Sequence, residues 1–250
     1  MSERSYAQFC GVARALDLLG GRWTLLIVRN LLLGPRRYTT LLGELPGITT
    51  NLLAARLKAL DDAGLATRVD DEGHPAWALT RDGALLEPVV MELGRFGART
   101  LQRPRPGERM DMGWALLSMK RRYRGGLTLE VELRLTGSST TTNTSPVATT
   151  ERVFALTFGD RYLKVRDRPA TAPSLVISGS TDVVRAVFFA GQDPRAAVDS
   201  GALVVAGAAE HWQAFLGAFA PGPLPGTGGA DPALTSPPEA PDASARPAPP

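Results

Sequence analysis

Residues 46–64 constrain this chain more than any other stretch, because the run from Pro46 to Gly64 reads as a capped helix packed along one side. Thr49 is a good N-cap, since its hydroxyl can accept from a backbone N–H two or three positions on, and Gly64 offers a left-handed stop at no steric cost. At about 100° per residue Leu53, Leu57 and Leu60 form one apolar stripe, while Asn51, Ala55 and Lys58 lie opposite. That outer face is small and polar in its N-terminal half. It suits close approach to base edges, where an amide can pair with adenine and a small side chain can touch a thymine methyl. Arg56 sits on the flank, placed for a phosphate. Most amphipathic helices with one Asn and one Lys outside are simply solvated, so the surroundings decide between the two readings.

Those surroundings are helical. Phe9, Val12, Ala13 and Leu16 have helical spacing, and Gly20 and Gly21 break the chain after them. Trp23 to Leu33 is apolar almost all round and reads as a central helix, ended by Gly34 and Pro35. A short helix from about Thr39 to Leu45 follows, and Pro46 and Gly47 turn the chain into the helix described above. Helix, tight glycine turn, second helix is the helix-turn-helix arrangement, in which the second helix enters the major groove. Leu65–Val69 and Ala76–Leu79 read as two strands of a wing, joined by a turn over Asp70–Pro75. From Thr80 a long helix carries Leu86, Val90, Leu93, Gly97 and Leu101 along one side, with Pro88 as a kink near its start.

The fold class expected is α+β: a winged helix-turn-helix unit over 1–102, a stiff linker over 103–107, an α/β unit over 108–220 and a disordered tail over 221–250. In the second unit a helix around Met110–Tyr123 precedes strands at Leu127–Leu135, Val153–Phe158, Tyr162–Val165 and Ser174–Ser178. Helices at about Thr181–Ala190 and Pro194–Ser200, a strand at Leu203–Ala206 and a last helix at Glu210–Phe219 complete it. Gly137–Thr150 is Ser/Thr-rich without hydrophobic period and reads as a mobile hairpin tip. The tail is Pro, Gly, Ala and Ser, with too little to bury to offset the entropy of ordering.

Composition narrows the functional classes. The 250 residues carry a formal net charge of only +3, so any DNA binding comes from locally placed charge rather than a basic coat. No apolar run approaches the roughly 20 residues needed to cross a bilayer, and Met1–Tyr6 lacks the features of a secretion signal, so a cytoplasmic protein without membrane contact is expected. Cys10 is the one cysteine and His74 and His211 the only histidines, which argues against a disulfide framework and a conventional zinc site. No Gly-rich phosphate loop, nucleophile elbow or paired Cys and His stands out, so neither enzyme nor cofactor is expected.

Taken together, Cys10, Ala15–Trp23, Gly34–Tyr38, Leu45–Ile48 and Leu79–Gly83 resemble the HxlR family of winged helix-turn-helix regulators, from about Tyr6 to Leu101. The resemblance implies a homodimer formed by the first and last helices of the unit, with each recognition helix reading half of a palindromic operator in double-stranded DNA. It places Thr49, Thr50, Asn51 and Lys58 on DNA, with Arg36, Arg37 and Thr39 at the preceding helix and Ala55 and Arg56 completing the candidate set. The wing departs from the pattern, because Asp70, Asp71 and Glu72 would repel the backbone; either its tip stays clear or Arg68 and His74 make the contact. Cys10 matches a cysteine that in some members senses oxidants, quinones or aldehydes. Against that stands the commoner role of a small buried hydrophobe.

Residues 108–219 resemble the sterol-carrier-protein type 2 fold through Phe154–Phe158, Leu163–Val165, Ser174–Ser178, the helix through Val183 and Phe188, the break at Gly191–Pro194 and Leu203–Gly207. That resemblance implies helices on one curved sheet, often with an apolar tunnel between them. Trp114, Leu175, Phe188, Phe189, Trp212, Phe215 and Phe219 are the candidate lining for an apolar small-molecule effector, although aromatic stripes usually just fill a core. Lys120–Arg124 is a basic cluster, read as a solvated helix end, as an extension of a DNA face or as a contact for an acidic ligand. The preferred function is a ligand-responsive repressor. A Cys10-based redox or electrophile sensor and a hydrophobic-ligand carrier or sequestering protein are the alternatives.

Overall fold

The computed structural model describes residues 5–101, 105, 107–108, 110–137 and 151–219. Most of the expected hairpin tip, much of the 103–107 linker and the tail from Pro221 lie outside them.

The first helices form where the apolar spacing places them. α1 (Gly11–Leu19) buries only Ala13 and Leu19, whereas α2 (Thr24–Leu31) buries Ile27, Val28 and Leu31 and is central. α3 (Tyr38–Glu44) and α4 (Thr50–Asp62) follow. At the start of α4 the Thr49 hydroxyl accepts from the Leu52 N–H at 3.3 Å, and Leu53, Leu57 and Leu60 are buried on its inner side. Between α3 and α4 the chain turns at Gly47 with φ +90°, a conformation strained for any residue with a side chain.

β1 (Ala66–Asp71) and β2 (His74–Leu79) pair antiparallel from Ala66 opposite Leu79 to Asp71 opposite His74. The turn is therefore narrower than the six residues expected. Asp70 Oδ1 accepts from the Gly73 N–H at 2.8 Å and closes the hairpin tightly, so the acidic side chains that look like a loop extend the strands instead.

The single long helix expected from Thr80 is two, α5 (Arg81–Ala84) and α6 (Glu87–Ala98). Pro88 lies in the first turn of α6, where the missing N–H has no intrahelical partner to lose, so it marks a helix start rather than a kink. Thr80 joins this corner to α4: its hydroxyl donates to the Gly64 carbonyl at 2.6 Å and accepts from the Gly83 N–H at 3.0 Å. Gly83 packs so closely over the Leu65 carbonyl that an added Cβ would run into its oxygen.

The C-terminal half begins with α7 (Met112–Met119) and builds one five-stranded sheet from β3 (Leu129–Thr136), β4 (Arg152–Gly159), β5 (Tyr162–Arg166), β6 (Leu175–Ser180) and β7 (Leu203–Gly207). The strand order is β5-β4-β3-β6-β7, with β3 and β6 parallel and the other neighbours antiparallel. α8 (Thr181–Phe189) and α9 (Pro194–Asp199) connect β6 to β7, and α10 (Ala209–Gly217) follows. Alternate residues of β3, Leu129, Val131, Leu133 and Leu135, join Phe154, Leu156 and Phe158 of β4 in an apolar core. Leu32 and Leu33, from the end of α2, are buried in that same core, so the two halves share packing as well as a linker.

On the other side of β3 two carboxylates hold the loop after β5. Glu132, buried, accepts from the Ala170 N–H at 2.9 Å, and Glu130 accepts from the Ala172 N–H at 2.9 Å and the Thr171 N–H at 3.3 Å. Substituting Gly83→Ala should force the Thr80 corner off the Leu65 carbonyl at a cost of about 1–3 kcal/mol. Thermal unfolding should fall by roughly 3–10 °C; an unchanged midpoint would show that the close approach is not needed.

Candidate nucleic-acid interface

The side of α4 opposite its buried leucines is open. Thr49, Thr50, Asn51, Ala54, Ala55 and Lys58 are exposed, and so are Arg37 and Thr39 at the start of α3. Tyr38 ties the two helices together, its hydroxyl donating to the Thr50 carbonyl at 2.6 Å. In the sequence, Tyr38 stands beside the paired arginines with no separate signal of this tether. Lys58 is exposed but engaged, its ammonium bonded to both carboxylate oxygens of Asp62 at 2.7 and 2.8 Å, which together with the nearby charge of Asp61 raises its pKa. A cleft of about 260 Å³ separates α4 from the wing, between Tyr38 and Lys58 on one side and Arg68 and Trp77 on the other.

Two of the expected phosphate ligands are used elsewhere. Arg56 is only half-exposed, its Nε donates to the Arg22 carbonyl at 3.1 Å, and its guanidinium lies against Gly21, so it braces α4 against the start of α2. Arg36 departs further from expectation. Its side chain is 6% exposed and turned inward, with its terminal nitrogen 2.9 Å from Asp167 and its Nε 3.3 Å from Glu44. A guanidinium held between two carboxylates out of water is not presented to a phosphate, which leaves Arg37 as the outward member of the pair.

Around Arg36 the two halves of the chain join through buried polar groups. Its backbone N–H and C=O exchange hydrogen bonds with Trp77 of β2 at 2.9 and 2.8 Å. Arg152 of β4 bonds Asp167 at 2.7 Å and Asp111, the N-cap of α7, at 2.5 Å. Burial opposes the charge of Arg152, but Asp167 and Asp111 more than reverse that and lift its pKa above the ordinary guanidinium value. Glu44 is shifted the other way, upward, because burial outweighs the nearby Arg36. Asn30, fully buried, donates to Glu44 at 2.9 Å and accepts from the Trp114 indole N–H at 3.0 Å. Arg29 lies over the Trp114 ring at 3.7 Å, and burial pushes its pKa down to about 10 against the pull of Asp111 and Glu44.

Trp114 is therefore a junction residue and stands apart from the other expected lining residues. Leu175, Phe188, Phe189, Trp212, Phe215 and Phe219 are all buried, and the rings pack on one another, Phe215 lying 5.5–5.9 Å from Phe158, Phe188, Trp212 and Phe219. The basic cluster is not a solvated helix end. Lys120 pairs with Glu87 of α6 at 2.5 Å, burial lowering its pKa, while Arg122 donates to the Phe188 carbonyl at 3.1 Å.

Cys10 differs from the expected buried hydrophobe. It is exposed at the N-cap of α1, where the backbone N–H groups of Ala13 and Val12 favour the thiolate and hold its pKa below the usual thiol value.

Residues 18–105 match the HxlR-like helix-turn-helix family model. A HTH-type transcriptional regulator of Synechocystis is 34% identical over 96 residues, covering 37% of this chain and 71% of that protein. The chain belongs to the HxlR-like helix-turn-helix family. A HTH-type transcriptional regulator of Mycobacterium bovis is 41% identical over 97 residues, and the chain spans 60% of its length. Among solved structures, quinone-bound YodB of Bacillus subtilis is 31% identical, with 34% of this chain and 93% of that chain covered at a TM-score of 0.31. Each of these likenesses covers little more than a third of this HxlR-like chain.

If the helix-start amides set the acidity of Cys10, its alkylation by iodoacetamide should reach half its maximal rate at a pH below that of a free cysteine thiol, near 8.5. A midpoint at or above that value would contradict the assignment.

Proposed function

We propose that this chain is a homodimeric, sequence-specific DNA-binding transcription repressor that reads a palindromic operator with α4 and responds to an apolar small molecule through its C-terminal half. The observation that carries the reading is the open face of α4. Its inner leucines are locked in the core, while Thr49, Thr50, Asn51 and Ala55 are exposed beside Arg37. A rigid helix with a small, polar, unobstructed edge fits base readout, and Arg37 and Thr39 flank it for phosphate. Lys58 joins them by exchanging Asp62 for a phosphate. Arg36 has no part in this contact.

Two apolar faces support the homodimer. α1 has nine residues and buries two of them, while Phe9, Val12 and Leu16 are exposed. A helix that short is marginal without tertiary packing, so a second copy is the natural cover. α6 turns Val90 and Met91 toward the C-terminal core and leaves Val89, Leu93 and Phe96 exposed, Phe96 at 68%. In the C-terminal half, one mixed sheet with α7, α8 and α10 packed against its apolar face supports the sterol-carrier-like reading. With the aromatic side chains packed on one another, an effector enters by parting them. Hundredfold relief of repression then needs about 2.7 kcal/mol of differential affinity between the two states.

A second reading has its own observation, the exposed, acidified thiol of Cys10. There the same DNA reader is switched by a small electrophile or by a bridge to a second subunit's cysteine. Cys10→Ser separates the two, since it abolishes a quinone or oxidant response in the second reading and leaves an apolar-ligand response intact in the first.

The DNA reading is tested by fluorescence anisotropy against duplexes from the chain's own promoter region. Affinity should fall steeply with salt; Asn51→Ala should weaken specific binding by about 1–3 kcal/mol. Arg37→Ala should reduce the slope of log affinity against log salt by about 0.9. Negligible, salt-insensitive affinity would sink the proposal and return the carrier reading. For the dimer, Phe96→Glu should yield monomers by sedimentation at concentrations where the wild type is dimeric, and an unchanged dimer would place the interface elsewhere.

A further inference from the structure

Among the contacts between the halves, the one at Arg36 reaches the start of α3 and the wing. The Arg36 backbone is bridged to Trp77 of the wing strand β2, its Nε lies beside Glu44 at the last turn of α3, and its outer nitrogen is bonded to Asp167. Wing, α3 and C-terminal half thus meet at one residue, the wing on its backbone and the other two on its buried guanidinium. The same loop touches the end of α2, where the Asp167 N–H donates to the Leu33 carbonyl at 3.0 Å and Arg166 donates to the Leu32 carbonyl at 3.0 Å. Asp167 is itself held, by Arg152 on one side and by the fastening of the following backbone to Glu130 and Glu132 on the other. Nothing in this set faces the open side of α4, and the bonds from Asp167 and Arg166 to Arg36, Leu33 and Leu32 run between the halves rather than within either one.

We propose that Asp167, anchored by Arg152, is a positioning residue for DNA reading: by holding Arg36 it fixes the angle between the wing and the α3–α4 pair. The inference rests on the reading of α4 as the element that contacts DNA. Removing the carboxylate leaves Arg36 with Glu44 as its one carboxylate beside the Pro35 carbonyl, and a buried guanidinium short of a charged partner moves toward water, taking with it the backbone that bridges to Trp77. α4 follows α3 through the short turn at Gly47, so a displaced α3 tilts the recognition helix. A change in the C-terminal half that shifts the loop after β5 reaches the DNA-reading face by this route, without contact between any effector and α4.

The test uses the full chain and a duplex selected by the wild-type protein from random sequences. Asp167→Asn, nearly isosteric, should weaken binding about tenfold, measured well below its unfolding temperature. Arg36→Met should weaken it similarly, and the double variant should bind no more weakly than either single one, because all three break the same link. Val184→Ala, in the C-terminal core and remote from the junction, should lower the unfolding temperature while leaving affinity unchanged. Should Asp167→Asn fail to fold, Arg152→Gln frees Asp167 from its anchor and should weaken binding in the same way. Unchanged affinity in a folded Asp167→Asn, or additive effects of Asp167→Asn and Arg36→Met, would overturn the proposal while leaving the DNA-reading function intact. A wild-type chain that selects no duplex overturns both.

Discussion

A guanidinium taken out of water must keep its carboxylates, and the arrangement of this chain depends on that requirement at Arg36. Leaving a buried charge unpaired costs several kcal/mol, comparable to much of the stability of a domain. Arg36 therefore fixes the relative placement of every element that supplies its partners. Those elements are the end of α3 through Glu44 and the loop after β5 through Asp167, with the wing strand joined to its backbone through Trp77. Asn30, Trp114 and Asp111 extend the same polar seam. Apolar packing of Leu32 and Leu33 beneath it supplies attraction without direction, whereas the ion pairs supply register.

This seam changes what the fusion of two units means. The stiff linker over 103–107 reads as a boundary between two units, yet α6 packs Val90 and Met91 against the C-terminal core and pairs Glu87 with Lys120. One helix thus has its inner side on the second half and its outer side bare, at Val89, Leu93 and Phe96. A dimer built on that bare side would carry the C-terminal halves rigidly with it. Any effector that loosens the aromatic packing would then act on the spacing of two recognition helices through shared surfaces, in proportion to its preference for the loosened state.

Periodicity made most of the fold legible, because α4 buries one regular stripe of leucines, β5 and the start of β6 alternate buried residues, and the nearly all-apolar run of α2 marks it as central. What it could not show were features decided by partners distant in the chain. Arg36 and Arg37 are adjacent and chemically identical, and only Asp167, far along the sequence, turns one inward. Trp114 looks like one more aromatic on a core helix until Asn30 takes its indole N–H. Lys120 and Arg122 read as a basic run, but Glu87 and the end of α8 consume them. Cys10 stands between Phe9 and Gly11 like a core residue and is exposed, since α1 meets the remainder of its own chain through only two buried side chains. The helix boundary at Pro88 was visible as a proline but not as a start, a distinction set by the Thr80 corner before it.

If Arg36 couples the two halves they open together at this seam, and native-state hydrogen exchange of the full chain tests that coupling most directly. The Arg36 and Trp77 amides, which bridge α3 to the wing, and the Asp167 amide, which donates to Leu33, should exchange with one common opening free energy and respond in parallel to low denaturant. An Asp167 amide that exchanges freely while Arg36 and Trp77 remain protected would contradict the claim, showing the C-terminal half to be attached to the helix-turn-helix without being coupled to it.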